Sequence, residues 1–191
     1  MKKQSSPILR IALIGVFSAL SIVLAMLIHV PLIPAVSFLE YDPADIPIFF
    51  LSAYLGPAAG LMMTAIVSVV QGLTVSATSG WIGILMHFLA TGFFVCTETL
   101  LLRFLRRRGM KEACALAVSL AAGAAAMVAV MALWNLLFTP LFMHMTLRGF
   151  LPFLPYILLF NVLKAVINGG AAFLLWNVTH RAAEKYLSPA S

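Results

Sequence analysis

The stretch LRIALIGVFSALSIVLAMLIHV, residues 9–30, decides the fold of this chain. It matches the length of about 20 mostly apolar residues that an α-helix needs to cross a bilayer. Lys2 and Lys3 precede it, as in a signal peptide. However, the stretch exceeds the apolar core of roughly 7–15 residues that signal peptides carry, and residues 31–34 offer no small-residue cleavage site. The stretch therefore predicts a retained transmembrane helix.

The composition extends this prediction to the whole chain. Of 191 residues, 63% are hydrophobic and only 9% are charged, whereas a soluble domain carries about 25% charged residues. The length allows six or seven short-looped spans, so we expect one all-α integral membrane domain over residues 1–191. Cys96 and Cys114 lack a Cys-x-x-Cys spacing, and the sequence indicates neither a metal site nor a redox motif.

Proline, glycine and arginine clusters divide the chain into six apolar segments. The predicted transmembrane helices cover residues 9–30, 46–56, 58–75, 81–104, 112–138 and 153–178. Gly56 and Pro57 separate the second from the third, and Pro140 lies just beyond the fifth. The second is too short to span a bilayer alone, so we expect it to be tilted, to extend into the preceding loop or to be partly re-entrant.

The basic residues predict the orientation, because lysine and arginine in short loops mark the cytoplasmic side. With six spans, both termini and the loop between the fourth and fifth helices share one face. That face holds ten of the twelve basic residues: Lys2, Lys3, Arg10, Arg103, Arg106, Arg107, Arg108, Lys111, Arg181 and Lys185. Both termini are therefore expected to be cytoplasmic, and the net charge of +6 reflects topology and not nucleic-acid binding.

Polar side chains within four predicted helices gather at one depth. They are Gln71, His87, Thr91, Asn135, Asn161 and Lys164. Asn161, Lys164 and Asn168 share one helical face by their i, i+3, i+7 spacing. A lysine at the centre of a membrane helix costs roughly 2.5–3.5 kcal/mol on insertion scales, so Lys164 needs a partner.

Two interpretations of this polar layer remain open. It could be a hydrogen-bond network between helices with a snorkelling lysine. Alternatively it could be a ligand pocket, since pockets combine apolar walls with a few orienting polar groups. The aromatic walls would come from Trp81, Phe88, Trp134, Phe138 and Phe160.

The segment after the first helix carries half of the acidic residues, namely Glu40, Asp42 and Asp45. Their spacing matches no metal-ligand motif, and no histidine cluster accompanies them. They could solvate an outer loop, with Asp45 as the N-cap of the second helix. They could equally take part in closing a pocket.

Motifs for catalysis are not evident. The order and spacing of serine, histidine and aspartate do not indicate a catalytic triad, and the chain has no phosphate-binding loop for ATP. Small residues in the first helix, Gly15 with Ala19 and Ser18 with Ser21 and Ala25, permit close approach of another helix. That helix could belong to this chain or to a partner.

Six segments, in order, resemble one family. They are EYDPADIP at 40–47, LGPAAG at 55–60, QGLTVS at 71–76, GWIGILMH at 80–87, WNLLFTP at 134–140 and FNVLK at 160–164. Together they are similar to the riboflavin-type S components (RibU) of energy-coupling factor (ECF) transporters. The likeness covers nearly the whole chain, and the ordered set is far more specific than any single segment.

The resemblance implies a six-helix S-component bundle in a bacterial cell membrane. It implies riboflavin as transported ligand, not cofactor, bound near the outer face under the loop between the first two helices. It also implies two kinds of partner, a transmembrane coupling subunit and two ATP-binding-cassette ATPases. The family's flavin contacts correspond here to Asn135, Asn161 and Lys164, and its Ala-x-x-x-Ala docking motif is approximated by Gly15 and Ala19.

The remaining predicted ligand contacts come from the chemistry of riboflavin and the position of the loop. The polar flavin edge suits asparagine amides, and the hydroxylated tail suits Gln71 or Thr74. His87 lies at the same depth. Leu39, Glu40 and Tyr41 lie in the covering loop.

Two other function classes remain. A stand-alone secondary transporter would show repeat symmetry between its halves, and no convincing repeat occurs. An intramembrane lipid-modifying enzyme would use Glu98, His87 or the loop carboxylates as acid or base, but the sequence shows no paired catalytic constellation. We therefore expect a binding subunit without catalysis.

Overall fold

Apolar helices form most of this structure, a computed structural model that describes the backbone of residues 7–186 and the side chains of all but Thr78, Phe142 and residues 181–186. The helices are α1 Pro7–Leu27, α2 Asp45–Leu55, α3 Pro57–Leu73, α4 Gly80–Arg107, α5 Glu112–Phe142, α6 Leu147–Phe150 and α7 Leu154–Tyr186. Two short strands, β1 Val30–Pro31 and β2 Glu40–Tyr41, precede α2. Within the described residues, α1, α4, α5 and the stretch from Leu147 to His180 are long and apolar enough to cross a membrane.

The short helix α2 lies inside the bundle. All of its residues except Ile46 are buried, and it packs against α1, α3, α4 and α7. It begins at Asp45 and does not extend into the preceding loop. At its other end, Gly56, at a φ of 91°, turns the chain directly into α3. A helix enclosed by other helices does not have to reach both surfaces of a bilayer.

Two arginines satisfy carbonyl groups at the C-terminal end of α2. Arg10 donates from Nη2 to the Leu55 oxygen at 3.2 Å, and Arg106 donates from Nη1 to the Ala53 oxygen at 3.4 Å. The last carbonyls of a helix lack partners within it and carry partial negative charge. Guanidinium groups from α1 and α4 therefore stabilise a helix end that would otherwise lie unpaired inside the bundle.

The helix ends differ from the sequence prediction at several points. α1 ends at Leu27 and not at residue 30, because Val30 and Pro31 pair with Tyr41 and Glu40 as antiparallel strands. The prediction that the fifth helix stops before Pro140 is wrong, since α5 continues to Phe142. A proline near a helix end removes only one backbone donor, and the last turn closes through the bond from Met143 N to Thr139 O at 2.9 Å. α7 also runs beyond residue 178, to Tyr186.

The short helix α6 was not predicted. Its N-cap, Thr146, accepts a hydrogen bond from Gly149 N at 3.3 Å. Phe150 at its end is buried with Val36 and Ile157. This cluster joins the loop before α7 to residues 28–44, which we call the α1–α2 loop.

The first helix has two different faces. Ser18, Ser21 and Ala25 are buried, and α1 packs on α2 and α3, so this small-residue stripe serves the chain's own bundle. Gly15 and Ala19 are exposed, and a Cβ at Gly15 would have no neighbour within 4 Å. The outward face is thus open to another helix.

Candidate ligand-binding site

A cavity of about 210 Å³ lies beneath the α1–α2 loop, between α3, α4, α5 and α7. Its lining residues are Phe38, Leu39, Glu40, Asp42, Gln71, Ser76, Ser79, Ile82, Gly83, Met86, His87, Ala90, Met127, Met131, Asn135, Thr139, Phe160, Asn161 and Lys164. Apolar side chains and a few polar groups line it together, which is the composition of small-molecule sites. The polar layer inferred from the sequence, except Thr91, therefore borders one space.

Most residues predicted to contact a ligand border this cavity. Leu39, Glu40, Gln71, His87, Asn135, Asn161 and Lys164 line it. Tyr41 and Thr74 do not: the Tyr41 hydroxyl donates to Asn168 Oδ1 at 2.9 Å, and exposed Thr74 donates to the Val70 oxygen at 2.7 Å. Contact with a ligand stays a prediction for the whole set.

A buried ion pair joins the α1–α2 loop to α7. Lys164 Nζ donates to Asp42 Oδ2 at 2.8 Å and lies 3.7 Å from Asp45 Oδ2. All three residues are buried. The expectation that Lys164 needs a partner is confirmed, and Asp42 supplies that partner from 122 positions earlier in the chain.

This arrangement corrects one interpretation of the loop carboxylates. Asp42 and Asp45 are buried and do not solvate the loop, whereas Glu40 is exposed. The N-cap of α2 is Ala44 without a side-chain bond, so the assignment of Asp45 as N-cap is wrong. Its carboxylate instead accepts from Thr91 Oγ1 at 2.8 Å. Pairing with a buried ammonium outweighs capping, because an unpaired charge in the interior is far costlier than a missing cap.

The structure also assembles a Ser–His–Asp set that the sequence did not indicate. His87 Nδ1 lies 2.7 Å from Ser68 Oγ, and His87 Nε2 lies 3.1 Å from Asp45 Oδ1. Ser68 is buried and is not among the cavity-lining residues. A substrate in the cavity therefore has no access to this hydroxyl, and the two bonds serve to fix the His87 ring at the cavity wall.

The two asparagines present amides to the cavity from α5 and α7. Asn135 donates to the Met131 oxygen and accepts from Thr139 Oγ1, both at 2.8 Å. Asn161 donates to the Ile157 oxygen at 2.8 Å. Each amide nitrogen has two N–H donors and each oxygen two acceptor sites. Both side chains are thus held by their own helix and retain capacity for a ligand.

The walls of the cavity are more aliphatic than the sequence suggested. Of the predicted aromatic residues, only Phe160 lines the cavity. Trp134 stacks on Phe138 with ring centroids 4.0 Å apart, and Trp81 is 67% exposed. Sequence reasoning missed Met86, Met127 and Met131, because methionine in an apolar helix carries no signal that distinguishes a cavity wall from packing.

The glutamate considered as an acid or base in the enzyme interpretation, Glu98, is fully buried and does not line the cavity. Ser52 Oγ donates to its Oε2 at 3.1 Å. Glu98 is therefore placed to join α4 to α2 and not to meet a ligand in this space.

A bundle of apolar helices that encloses a polar-edged cavity under a loop defines a membrane protein with a small-molecule site. The family model of the ECF transporter substrate-specific component matches residues 9–182, and the chain belongs to this family. Its fold is similar to that of the S component of a bacterial ECF transporter, with a TM-score of 0.79 and 20% identity over 94% of this chain and 99% of that chain. A search of curated proteins finds no match.

Family membership establishes the general role. The chain is a membrane-embedded, substrate-binding subunit of an ECF transporter, and a transporter subunit rather than an enzyme. Its partners are the transmembrane and ATPase modules of such a transporter.

Proposed function

We propose that this S component binds riboflavin in the cavity beneath the α1–α2 loop. The observation that carries the proposal is the group formed by Asn135, Asn161 and Lys164, which line one cavity together with aliphatic side chains of α4 and α5. The flat flavin ring requires apolar contact on its faces and paired donors and acceptors along its edge. This combination is present here.

The polar edge of the flavin would meet α5 and α7. The Asn161 amide oxygen accepts from a ring N–H, and the spare N–H groups of Lys164 and Asn135 donate to ring carbonyl oxygens. Ile82, Met86 and Phe160 supply the surfaces against which the ring lies. Gln71 of α3 donates from Nε2 to Asp42 Oδ1 at 3.4 Å, and its amide oxygen and second N–H are available to the hydroxylated tail.

The charge of the cavity supports a neutral ligand. Among the described lining residues, Lys164 is the only lysine or arginine, and its ammonium is already paired with Asp42 and lies near Asp45. A phosphate in this space would meet the carboxylates of Glu40 and Asp42, which line it, without a free lysine or arginine among the described lining residues. Riboflavin carries no charge and needs no cation in its site.

The proposal also covers the direction of transport and the partner subunits. We infer uptake from the outer face, where the cavity would open, with both termini cytoplasmic and with Gly15 and Ala19 on the surface that docks on the coupling subunit. Both small residues are exposed on α1. Their exposure supports the assignment of this docking surface, because helices in lipid associate where small residues permit close packing. The coupling subunit would in turn hold two ATP-binding-cassette ATPases.

Fluorescence titration of riboflavin with the detergent-purified chain tests the proposal. We expect Asn161→Ala to weaken binding by more than about tenfold, since loss of a ligand partner in a desolvated site leaves polar atoms unpaired. Asn177→Ala, at an exposed asparagine of the same helix, is the control and should bind as the wild type does. No saturable binding to the wild-type chain, or equal affinity of both variants, would overturn the ligand or the site.

A further inference from the structure

Asn168 has a fully buried polar side chain that does not line the cavity. It lies one helical turn after Lys164 on α7 and has an exposed fraction of 0%, but it is not a lining residue. Its Oδ1 accepts from the Tyr41 hydroxyl at 2.9 Å, and its Nδ2 donates to the Asp42 backbone oxygen at 3.2 Å. The amide therefore binds two consecutive residues of the α1–α2 loop, and its Nδ2 also donates to Asp45 Oδ2 at 3.4 Å at the start of α2.

The loop that Asn168 holds is the part that covers the cavity. Leu39 and Glu40, immediately before Tyr41, line the cavity from the loop side. The middle of the loop is fastened separately, by Val36 packed against Phe150 and Ile157. The end of the loop is held by polar contacts with α7, namely those of Asn168 and the Lys164–Asp42 ion pair. The bond from Gln71 to Asp42 and the strand pairing of Tyr41 with Val30 add to them.

Tyr41 differs from Asp42 in a decisive respect. Asp42 lines the cavity and pairs with Lys164, so a substitution there alters the site itself. Tyr41 lies outside the lining, and its hydroxyl contacts α7 through the bond to Asn168. Burial raises the pKa of the Tyr41 phenol above its ordinary value, so the hydroxyl keeps its proton as a donor at neutral pH.

We propose that Tyr41 and Asn168 form a latch that holds the α1–α2 loop closed over the cavity and controls how fast a ligand enters and leaves. They are positioning residues, because neither borders the space in which a ligand would lie. The proposal rests on the proposed binding site. It reassigns Tyr41 from a ligand contact to a residue that fastens the loop.

The latch makes a specific kinetic prediction. A contact that includes no ligand atom stabilises the closed loop equally with and without ligand, and such a contact cannot change affinity by itself. Loss of the latch should therefore raise the association and dissociation rates by the same factor and leave Kd unchanged. A ligand contact behaves differently, because its loss raises mainly the dissociation rate and Kd together.

Tyr41→Phe removes only the hydroxyl and is the variant to measure by stopped-flow riboflavin fluorescence. We expect both rate constants to rise roughly threefold to tenfold, the factor corresponding to one neutral hydrogen bond, with Kd within about twofold of the wild type. Tyr156→Phe, at an exposed tyrosine of α7, should change neither rate. In an Asn168→Ala background, Tyr41→Phe should give no further acceleration, because both substitutions remove the same bond.

Hydrogen exchange of the loop tests the latch without any ligand. Amides of residues 33–41 should exchange faster in Tyr41→Phe than in Tyr156→Phe. Equal exchange in the two variants, or a dissociation rate that rises alone with a matching loss of affinity, would overturn the latch. A wild-type chain that does not bind riboflavin while the loop still exchanges faster in Tyr41→Phe would overturn the proposed ligand and leave the latch supported.

Discussion

Lys164 shows how one residue links the membrane setting of this protein to its cavity. A central lysine in a membrane helix costs roughly 2.5–3.5 kcal/mol, and here the charge is offset by Asp42 at 2.8 Å and Asp45 at 3.7 Å. Both carboxylates come from the segment around the start of α2. The ion pair therefore fixes the α1–α2 loop against α7 at the point where the cavity lies.

Substitution of Lys164 should test this dependence through stability. Lys164→Met retains apolar volume but leaves two buried carboxylates without their cation, and removal of one partner of a buried pair costs about 3–5 kcal/mol. We expect a clearly lower Tm of the detergent-purified protein. Asp42→Asn in the same chain should restore part of the loss, because it removes one of the unpaired charges.

Lys111→Met is the matched control for that experiment, since Lys111 is exposed and exposed charges contribute little to stability. Its Tm should equal that of the wild type. If Lys164→Met were as stable as Lys111→Met, or if Asp42→Asn lowered the Tm of the double variant further, the ion pair would not hold the loop in the way described.

At the scale of helices, Gly60 determines how closely α3 packs against its neighbours. A Cβ at this position would lie 2.8 Å from Ser52 Cβ on α2 and would also meet Val95 on α4. Gly170 on α7 is helical as well, but a Cβ there would have no neighbour within 4 Å. Both glycines have helical backbone, but only Gly60 is packed closely against neighbouring helices.

We expect Gly60→Ala to lower the Tm, because α2 and α4 would have to separate to admit a methyl group. Gly170→Ala should leave the Tm unchanged or raise it, since alanine favours a helix over glycine by about 1 kcal/mol. Thermal unfolding of both variants under one condition provides the comparison. A Gly60→Ala protein at least as stable as Gly170→Ala would show that α3 is not packed this closely.

The long apolar helices were predictable because length and hydropathy alone identify them. α4 and α5 begin at Gly80 and Glu112, within one residue of the predicted starts at 81 and 112. Short elements were not predictable, because α6 and the β1–β2 pair form through contacts with distant residues such as Val36 with Phe150. The sequence also predicted helix ends less accurately than helix starts. α5, for example, continues through Pro140, where the sequence predicts that it has already ended.

The sequence likewise predicted only some of the contacts around the cavity. The i, i+3, i+7 pattern correctly predicted one buried face carrying Asn161, Lys164 and Asn168. The sequence also indicated that Lys164 needed a partner, but no local pattern pointed to Asp42, which lies 122 positions away. The same distance in sequence concealed the contact between Tyr41 and Asn168.

At the scale of the whole molecule, orientation is a prediction that thiol labelling can test. Arg108 follows α4 and Arg148 lies in α6, both exposed, and the proposed topology puts them on opposite sides of the membrane. In a chain with Cys96 and Cys114 replaced by serine, a membrane-impermeant maleimide should label Arg148→Cys in intact cells. Arg108→Cys should react only after permeabilisation, and the reverse pattern would contradict the topology.

Docking on the transporter's other subunits is the second prediction at this scale. Gly15→Leu or Ala19→Leu adds bulk to the exposed face of α1, where close approach in lipid depends on small side chains. Uptake and copurification of the ATPases should fall sharply, while ligand binding to the isolated subunit survives, because neither residue lines the cavity.

Gly170→Leu is the control for docking, since it adds the same bulk to an exposed glycine on α7. It should leave copurification intact. Normal uptake with copurification intact in the Gly15 and Ala19 variants would exclude α1 as the docking surface. Loss of binding in those variants would mean that the face packs this protein's own bundle.

The central claim is that the cavity under the α1–α2 loop holds riboflavin, and an absorption spectrum of the purified protein tests it most directly. The chain is purified in detergent, incubated with riboflavin and separated from free ligand by gel filtration. The account predicts flavin absorption bands that elute with the protein in the wild type and are strongly reduced in Asn161→Ala. A wild-type protein that elutes without flavin absorption would contradict it.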